Sequence, residues 1–377
     1  TPPDATSQAA ARALAGWARR FAGFPDEALQ EIRASASLDP DVPYGRLIEA
    51  LVLFSSYVEL QPLPTYTQSD LGLRCGPGIG EPEGMAGIRE RIEKLLSDAR
   101  GARVWGREGV EDFAGALEAV RAVQDGEYAR AEEALTRALD APDLRAFEAG
   151  LLTLRAKVRY MREEFESGLE DVRRARELRP GHATLALVDA ALLSATAMVQ
   201  GQSGKDPRPL LRESIAAYDE AIAWEARLRD ARNGRGTAWS ALAEALAVRG
   251  EDPRDAYARA LADLCVVADA HPREAVPRCN LASVMLGIGE AEAARGLDPR
   301  DSYRKAIAHA HDALAQDPAF PGAHTNRGAG WTRLGNAESD RGLDARESYR
   351  NAIVDYGREL AIDSTNVISR NDRCMAW

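Results

Sequence analysis

Apolar and small residues return along this chain at helical spacing, and over its second half their register repeats. Ala306, Ala310, Ala313 and Leu314 mark one face of a predicted helix that Pro318 closes. Tyr257, Tyr303 and Tyr349 stand 46 residues apart, as do Ala260, Ala306 and Ala352. Trp239, Met285, Trp331 and Trp377 keep the same interval on the opposite helix. Polar punctuation keeps step with them. Asp206-Pro207-Arg208 recurs as Asp252-Pro253-Arg254, Asp298-Pro299-Arg300 and Asp344-Ala345-Arg346, each two residues behind Gly204, Gly250, Gly296 or Gly342. A recurrence of this length means stacked supersecondary units.

The punctuation has a local mechanism. Glycine after a helical run takes the left-handed conformation without a Cβ penalty and ends the helix. Aspartate two residues on accepts the free N–H groups of the next helix, and proline suits its first position. Asp255, Asp301 and Glu347, three beyond the capping aspartate, predict a capping box. Each Gly-x-Asp-Pro-Arg is therefore a helix–helix corner and not an active site. A second break at His271-Pro272, Asp317-Pro318 and Asp363-Ser364 delimits two helices per unit, for example 321–341 and 345–362. The expected fold class is all-α, an α-solenoid of stacked antiparallel hairpins.

At these positions the chain resembles the tetratricopeptide repeat family. Ala306-x3-Ala310-x2-Ala313 follows the family's second-helix pattern, and Ser214-x3-Tyr218-x2-Ala221 and Ala352-x3-Tyr356-x2-Glu359 follow it less fully. Arg327-Gly328-x2-Trp331 and Arg235-Gly236-x2-Trp239 occupy the family's Leu-Gly-x2-Tyr slot, with arginine where leucine is usual. The family repeat is 34 residues, so these units are twelve too long. The excess falls between the two helices, which predicts about six extra residues on each and a hairpin roughly 9 Å longer. Upstream, Tyr128, Ala131, Leu135 and Ala138, then Gly168, Val172, Ala175 and Pro180, fit conventional units, and Gly16, Ala28, Ile32 and Pro40 fit a degenerate first one. The expected organisation is an N-terminal helical region at 1–109, conventional repeats at 110–205 and long repeats at 206–377. Within the first region, helices at 45–60 and 85–100 flank a long irregular loop at 61–84, functional or mobile.

Composition narrows the function. The 377 residues are 45% hydrophobic and 28% charged, with a net charge of -11, enough for a core and wrong for bulk binding of nucleic-acid phosphate. No apolar run reaches eighteen residues; the longest approach, around 185–199, is interrupted by Asp189 and Ser194, so no membrane partner is expected. Cys75, Cys265, Cys279 and Cys374 form no C-x-x-C pair and are expected to be free thiols. Starting at Thr1 with Pro-Pro-Asp and stopping inside a first helix at Trp377, the sequence is expected to be a fragment or processed chain, and the cytoplasm is the expected compartment. Gly76-Pro77-Gly78-Ile79-Gly80 and 201–205 fail as phosphate loops for want of Lys-Ser/Thr. His309 and His311 point apart on one helix, while His182, His271 and His324 sit near helix breaks as caps or surface groups; neither metal nor cofactor is expected. No catalytic motif is present, so a free enzyme is the least expected reading.

Asn280 and Asn326 stand two residues ahead of the small position of the first helix, with Asp372 in register and Asn233 one place earlier. In the family the first helices line a concave groove, and this row resembles the asparagine ladder with which one family superhelix holds extended peptides. The resemblance thus implies peptide binding by Asn233, Asn280, Asn326 and Asp372, with Thr325, Ser283, Thr237 and Lys157 as weaker neighbours. An amide donates and accepts, so it can grip a peptide bond; it can equally join two helices of the scaffold. The expected function is a non-catalytic scaffold binding a protein or peptide on its concave face. The alternatives are a regulatory or recruiting region of a larger bacterial enzyme, since the repeats resemble in style those trailing serine/threonine kinases, or a module that self-associates end to end.

Overall fold

A computed structural model of the chain describes residues 125–225 and 229–362, two short strands near residue 70, and scattered helical positions elsewhere. Most of the degenerate first unit, the helices expected at 45–60 and 85–100, and both Asp372 and Trp377 lie outside the described residues. The chain divides into two compact units, Thr1–Leu63 with Ile79–Gly181, and Pro64–Gly78 with His182–Trp377.

In the first unit, α1 (Tyr128–Asp140) leads through a 3-10 turn at Pro142–Phe147 to α2 (Glu148–Met161) and α3 (Phe165–Leu178). Helix α2 packs on α1 and α3. Leu135, Leu151, Leu154 and Val172 are almost wholly buried, and the Tyr160 and Phe165 rings meet edge to face at 5.8 Å beside the α2–α3 turn. That turn holds Glu163 at φ 61°, a left-handed residue that is not glycine.

The second unit is a run of long hairpins: α4 (Ala183–Gln202), α5 (Arg208–Trp224), α6 (Arg229–Val248), α7 (Arg254–Ala270), α8 (Ala275–Ala294), α9 (Arg300–Gln316), α10 (Pro321–Ser339) and α11 (Arg346–Ile362). Every expected corner is present. Gly204, Gly250, Gly296 and Gly342 have φ of 78°, 73°, 73° and 70°. After each, the next N–H reaches back five residues, as Leu297 to the Glu292 carbonyl at 2.9 Å, which satisfies a carbonyl that the helix end leaves free. Asp298 Oδ1 accepts the Arg300 N–H at 3.2 Å, and the other three corners match it. The capping box does not form: Asp255 accepts from Arg259 and Asp301 pairs with Lys305, because a cation four residues along an exposed helix face outcompetes a back-bend to the cap.

Small residues let the hairpins close. A Cβ at Gly328 would lie 2.8 Å from the Tyr356 ring. Each of α4, α6 and α8 touches the next even-numbered helix, whereas α5, α7 and α9 chiefly meet the even-numbered helices on either side. The even-numbered helices therefore form the tighter, inner layer of this unit. Helix α4 has the length and hydropathy of a membrane-crossing segment, yet Leu185, Val188 and Leu192 are buried and the helix packs on α5 and α6.

Residues 61–84 were expected to be irregular. Within them β1 (Tyr66–Ser69) pairs antiparallel with β2 (Gly72–Cys75), Ser69 opposite Gly72, and β1 lies against α8 and α10. Two four-residue strands, of which only β2 alternates at Leu73-Arg74-Cys75, carry too little pattern to be read as a hairpin.

Candidate functional site

The asparagine row runs from helix to helix across the inner layer. Asn280 Nδ2 on α8 donates to Asn233 Oδ1 on α6 at 3.0 Å. Asn326 Nδ2 on α10 donates to the Cys279 carbonyl at 3.0 Å and the Ser283 hydroxyl at 2.9 Å, both on α8. Asn280 and Asn326 are buried, while Asn233 is half-buried. Thr325 bonds the Pro321 carbonyl within its own helix, and Thr237 bonds that of Gly234. Spacing placed these residues on one face; the structure adds that their amides join consecutive inner helices.

A groove of about 770 Å³ opens along the later turns of α4, α6 and α8. Met198, Ala241, Ala245, Val248, Gly287 and Ala291 give it an apolar floor and lip, and Val248 is 88% exposed. Glu244, Glu290 and Arg333 supply charge at its sides, with Arg333 Nε 2.5 Å from Glu290. Sequence reading did not single out these residues. A signal existed: Ala241, Ala245 and Val248 recur 46 residues later as Gly287, Ala291 and Ala294, one helical face of small residues.

Below this face the hairpins are fastened by ion pairs. Arg235 on α6 makes a two-pronged contact with Asp263 on α7 at 2.6 and 2.7 Å, and Arg327 on α10 does so with Asp355 on α11 at 2.6 and 2.8 Å. Burial works to raise the Asp355 pKa, but His324 and Arg327 outweigh it and hold the carboxyl below its ordinary value. His324, expected as a cap or a surface group, is buried, its Nε2 3.0 Å from the Pro318 carbonyl at the break and its Nδ1 3.7 Å from Asp355 on α11. The middle hairpin lacks this latch. Leu281 and His309 stand at the equivalent positions; Leu281 joins the apolar core, and His309 Nδ1 has no hydrogen-bond partner. Burial, then the nearby Arg278, lowers the His309 pKa.

Consecutive corners are also linked: Arg249 reaches Asp206 at 3.7 Å, Arg295 reaches Asp252 at 3.6 Å and Arg341 reaches Asp298 at 3.4 Å. Hydrogen bonds from Arg254 pull Asp252 down to about 2. These pairs are solvent-exposed, so they set register more than they add stability. Among the described residues no three metal-ligating side chains cluster; Cys279 is buried, its thiol pushed up to about 12 by burial, and Cys265 is exposed.

Paired antiparallel helices, small residues where they close and corners at a fixed interval define the class: a tetratricopeptide-like helical-repeat protein with an all-α solenoid fold. No family model and no curated protein matches the sequence. Among solved structures, a tetratricopeptide repeat protein from Parabacteroides merdae is similar over 72% of this chain and 99% of its own, at 12% identity and a TM-score of 0.42. PilW, a type IV pilus biogenesis factor, is similar over 69% of this chain and 96% of its own, at 12% identity and 0.46. YrrB, a tetratricopeptide repeat protein with an unusual peptide-binding site, covers 64% of this chain and 99% of its own, at 15% and 0.36.

Proposed function

We propose that this protein is a non-catalytic interaction scaffold whose inner helical layer binds a peptide or protein segment. The observation that carries the reading is the apolar groove of about 770 Å³ along α4, α6 and α8, with Val248 exposed at its lip. An apolar floor with a few charged groups at its sides suits side-chain anchoring with polar orientation. The carboxylates that fasten the hairpins serve the scaffold: Asp263 is taken up by Arg235 and Asp355 by Arg327.

Selection of peptides displayed on phage against the folded chain tests this. Binders are expected, and Ala245→Arg and Val248→Glu should each weaken them about tenfold or more with melting unchanged. No binder from folded protein, or binders indifferent to both substitutions, would refute the groove. The asparagine row is assigned to the same layer, and Asn280→Ala with Asn326→Ala separates its two roles. Lower affinity at unchanged stability makes these amides ligand contacts; lower stability at unchanged affinity makes them part of the scaffold.

A further inference from the structure

Helix α8 is enclosed on most sides. Helices α6 and α10 flank it within the inner layer, and α7 and α9 back it. An element that touches both α8 and α10 from outside these packings therefore lies across the inner face, and β1 is such an element. Pro64–Gly78 accordingly groups with the second unit, far upstream of it in sequence. A hairpin of four residues a side is marginal by itself and requires a surface to rest on.

We infer that the β1–β2 hairpin is an occupant in cis of the inner face at α8 and α10, held there by β1, a strand that a partner's extended segment must displace. This deepens the proposed scaffold function and rests on it. The ligand class follows: a polypeptide taken as a strand, not as a helix. Covalent attachment gives the resident segment a high effective concentration, so an incoming segment binds the intact chain with reduced apparent affinity.

The test uses the full chain with residues 64–78 replaced by a Gly-Ser linker of equal length, and a synthetic peptide of residues 64–78 as the probe in calorimetry. The peptide should bind the linker chain and bind the intact chain at least about tenfold more weakly, the factor for a face occupied nine-tenths of the time. Equal affinity for both chains, or binding to neither, overturns the inference. Should the linker chain lose its helical circular dichroism, Thr67→Pro and Gln68→Pro in the intact chain decide, since consecutive residues present their N–H groups to opposite edges. At least one should raise hydrogen exchange across 321–337 while leaving 208–224 unchanged; unchanged exchange at 321–337 in both overturns the inference. Displayed peptides that bind intact and linker chains equally would leave the scaffold standing and remove the resident segment.

Discussion

The α2–α3 hairpin of the first unit and the α10–α11 hairpin of the second close on the same pair of side chains at different distances along the chain. Arg155 lies 16 residues before Asp171, and Arg327 lies 28 before Asp355. The difference is 12, the amount by which the 46-residue repeat exceeds the family's 34. The insertion is thus confined between the latch and the corner, and the open end of the hairpin is unchanged. It is not shared as expected. Helix α2 runs six residues past Arg155 and α10 twelve past Arg327; α3 begins six before Asp171 and α11 nine before Asp355; the remaining three lie in the corner. Half of the lengthening is carried by the inner helix, about 9 Å of it, which is where the groove-forming turns lie.

The two latches differ in their surroundings. Asp171 is shared by Arg155 and Arg159, at 2.7 and 2.9 Å, whereas Asp355 has one close arginine, Arg327 at 2.6 Å, with His324 Nδ1 at 3.7 Å and Arg358 at 3.9 Å. Arg327→Ala should therefore cost the second unit about 3–5 kcal/mol, the penalty of a buried charge left without its partner. Arg155→Ala should cost less than half as much, because Arg159 stays in place. Urea unfolding followed by circular dichroism, with hydrogen exchange to locate the loss, checks this. Equal losses would mean that the second arginine contributes nothing.

The middle hairpin supplies the next test. Arg327→Leu combined with Asp355→His copies Leu281 and His309 into the last hairpin, and the pair should stay within about 2 kcal/mol of wild type, since replacing both members of a buried ion pair leaves neither charge without its partner. A loss matching Arg327→Ala alone would show that the middle hairpin is held by something its two substituents do not explain.

The turns sharpen the comparison in opposite directions. Gly342→Ala should cost about 1 kcal/mol, because alanine at φ 70° brings Cβ against the following carbonyl. Glu163→Gly should be neutral or stabilising by up to about 1 kcal/mol, since it relieves the left-handed strain at φ 61°. Thermal melts of both variants read the sign, and two changes of the same sign would contradict the account.

Acid produces the smallest effect. The folded pKa of Asp252 is about 2, below its ordinary 3.8, so the unfolded chain binds protons first as pH falls. The corner contribution is complete above about pH 4 and is lost toward pH 2. Protection of the α7 and α9 N-termini should fall in that window, and 0.5 M salt should shrink the change, because these pairs are exposed. An equal decline around the α2–α3 turn would detach it from the corners.

Much of the fold could be read from the sequence because its signals are local. A positive φ selects glycine, and an orphan helix N-terminus selects aspartate, followed by proline in three of the four, so the corners announced themselves. The latch was harder to see. Arg235 and Arg327 stood out against the leucine usual at that position, but Leu281 and His309 interrupt the period, and nothing local ties an arginine to a carboxylate 28 residues away. The asparagines posed the same difficulty: spacing assigned them to one face, while Asn326 finds its acceptors 43 and 47 residues back.

By itself the sequence determined the number of described long hairpins, where they turn and which positions face inward, since each is set by contacts within a few residues. Tertiary structure alone decided which polar groups are spent on the scaffold, where the apolar groove opens and that residues 66–69 lie on α8 and α10. Those outcomes depend on which helix becomes whose neighbour, a choice made by packing and desolvation across the stack and not written in any single stretch of chain.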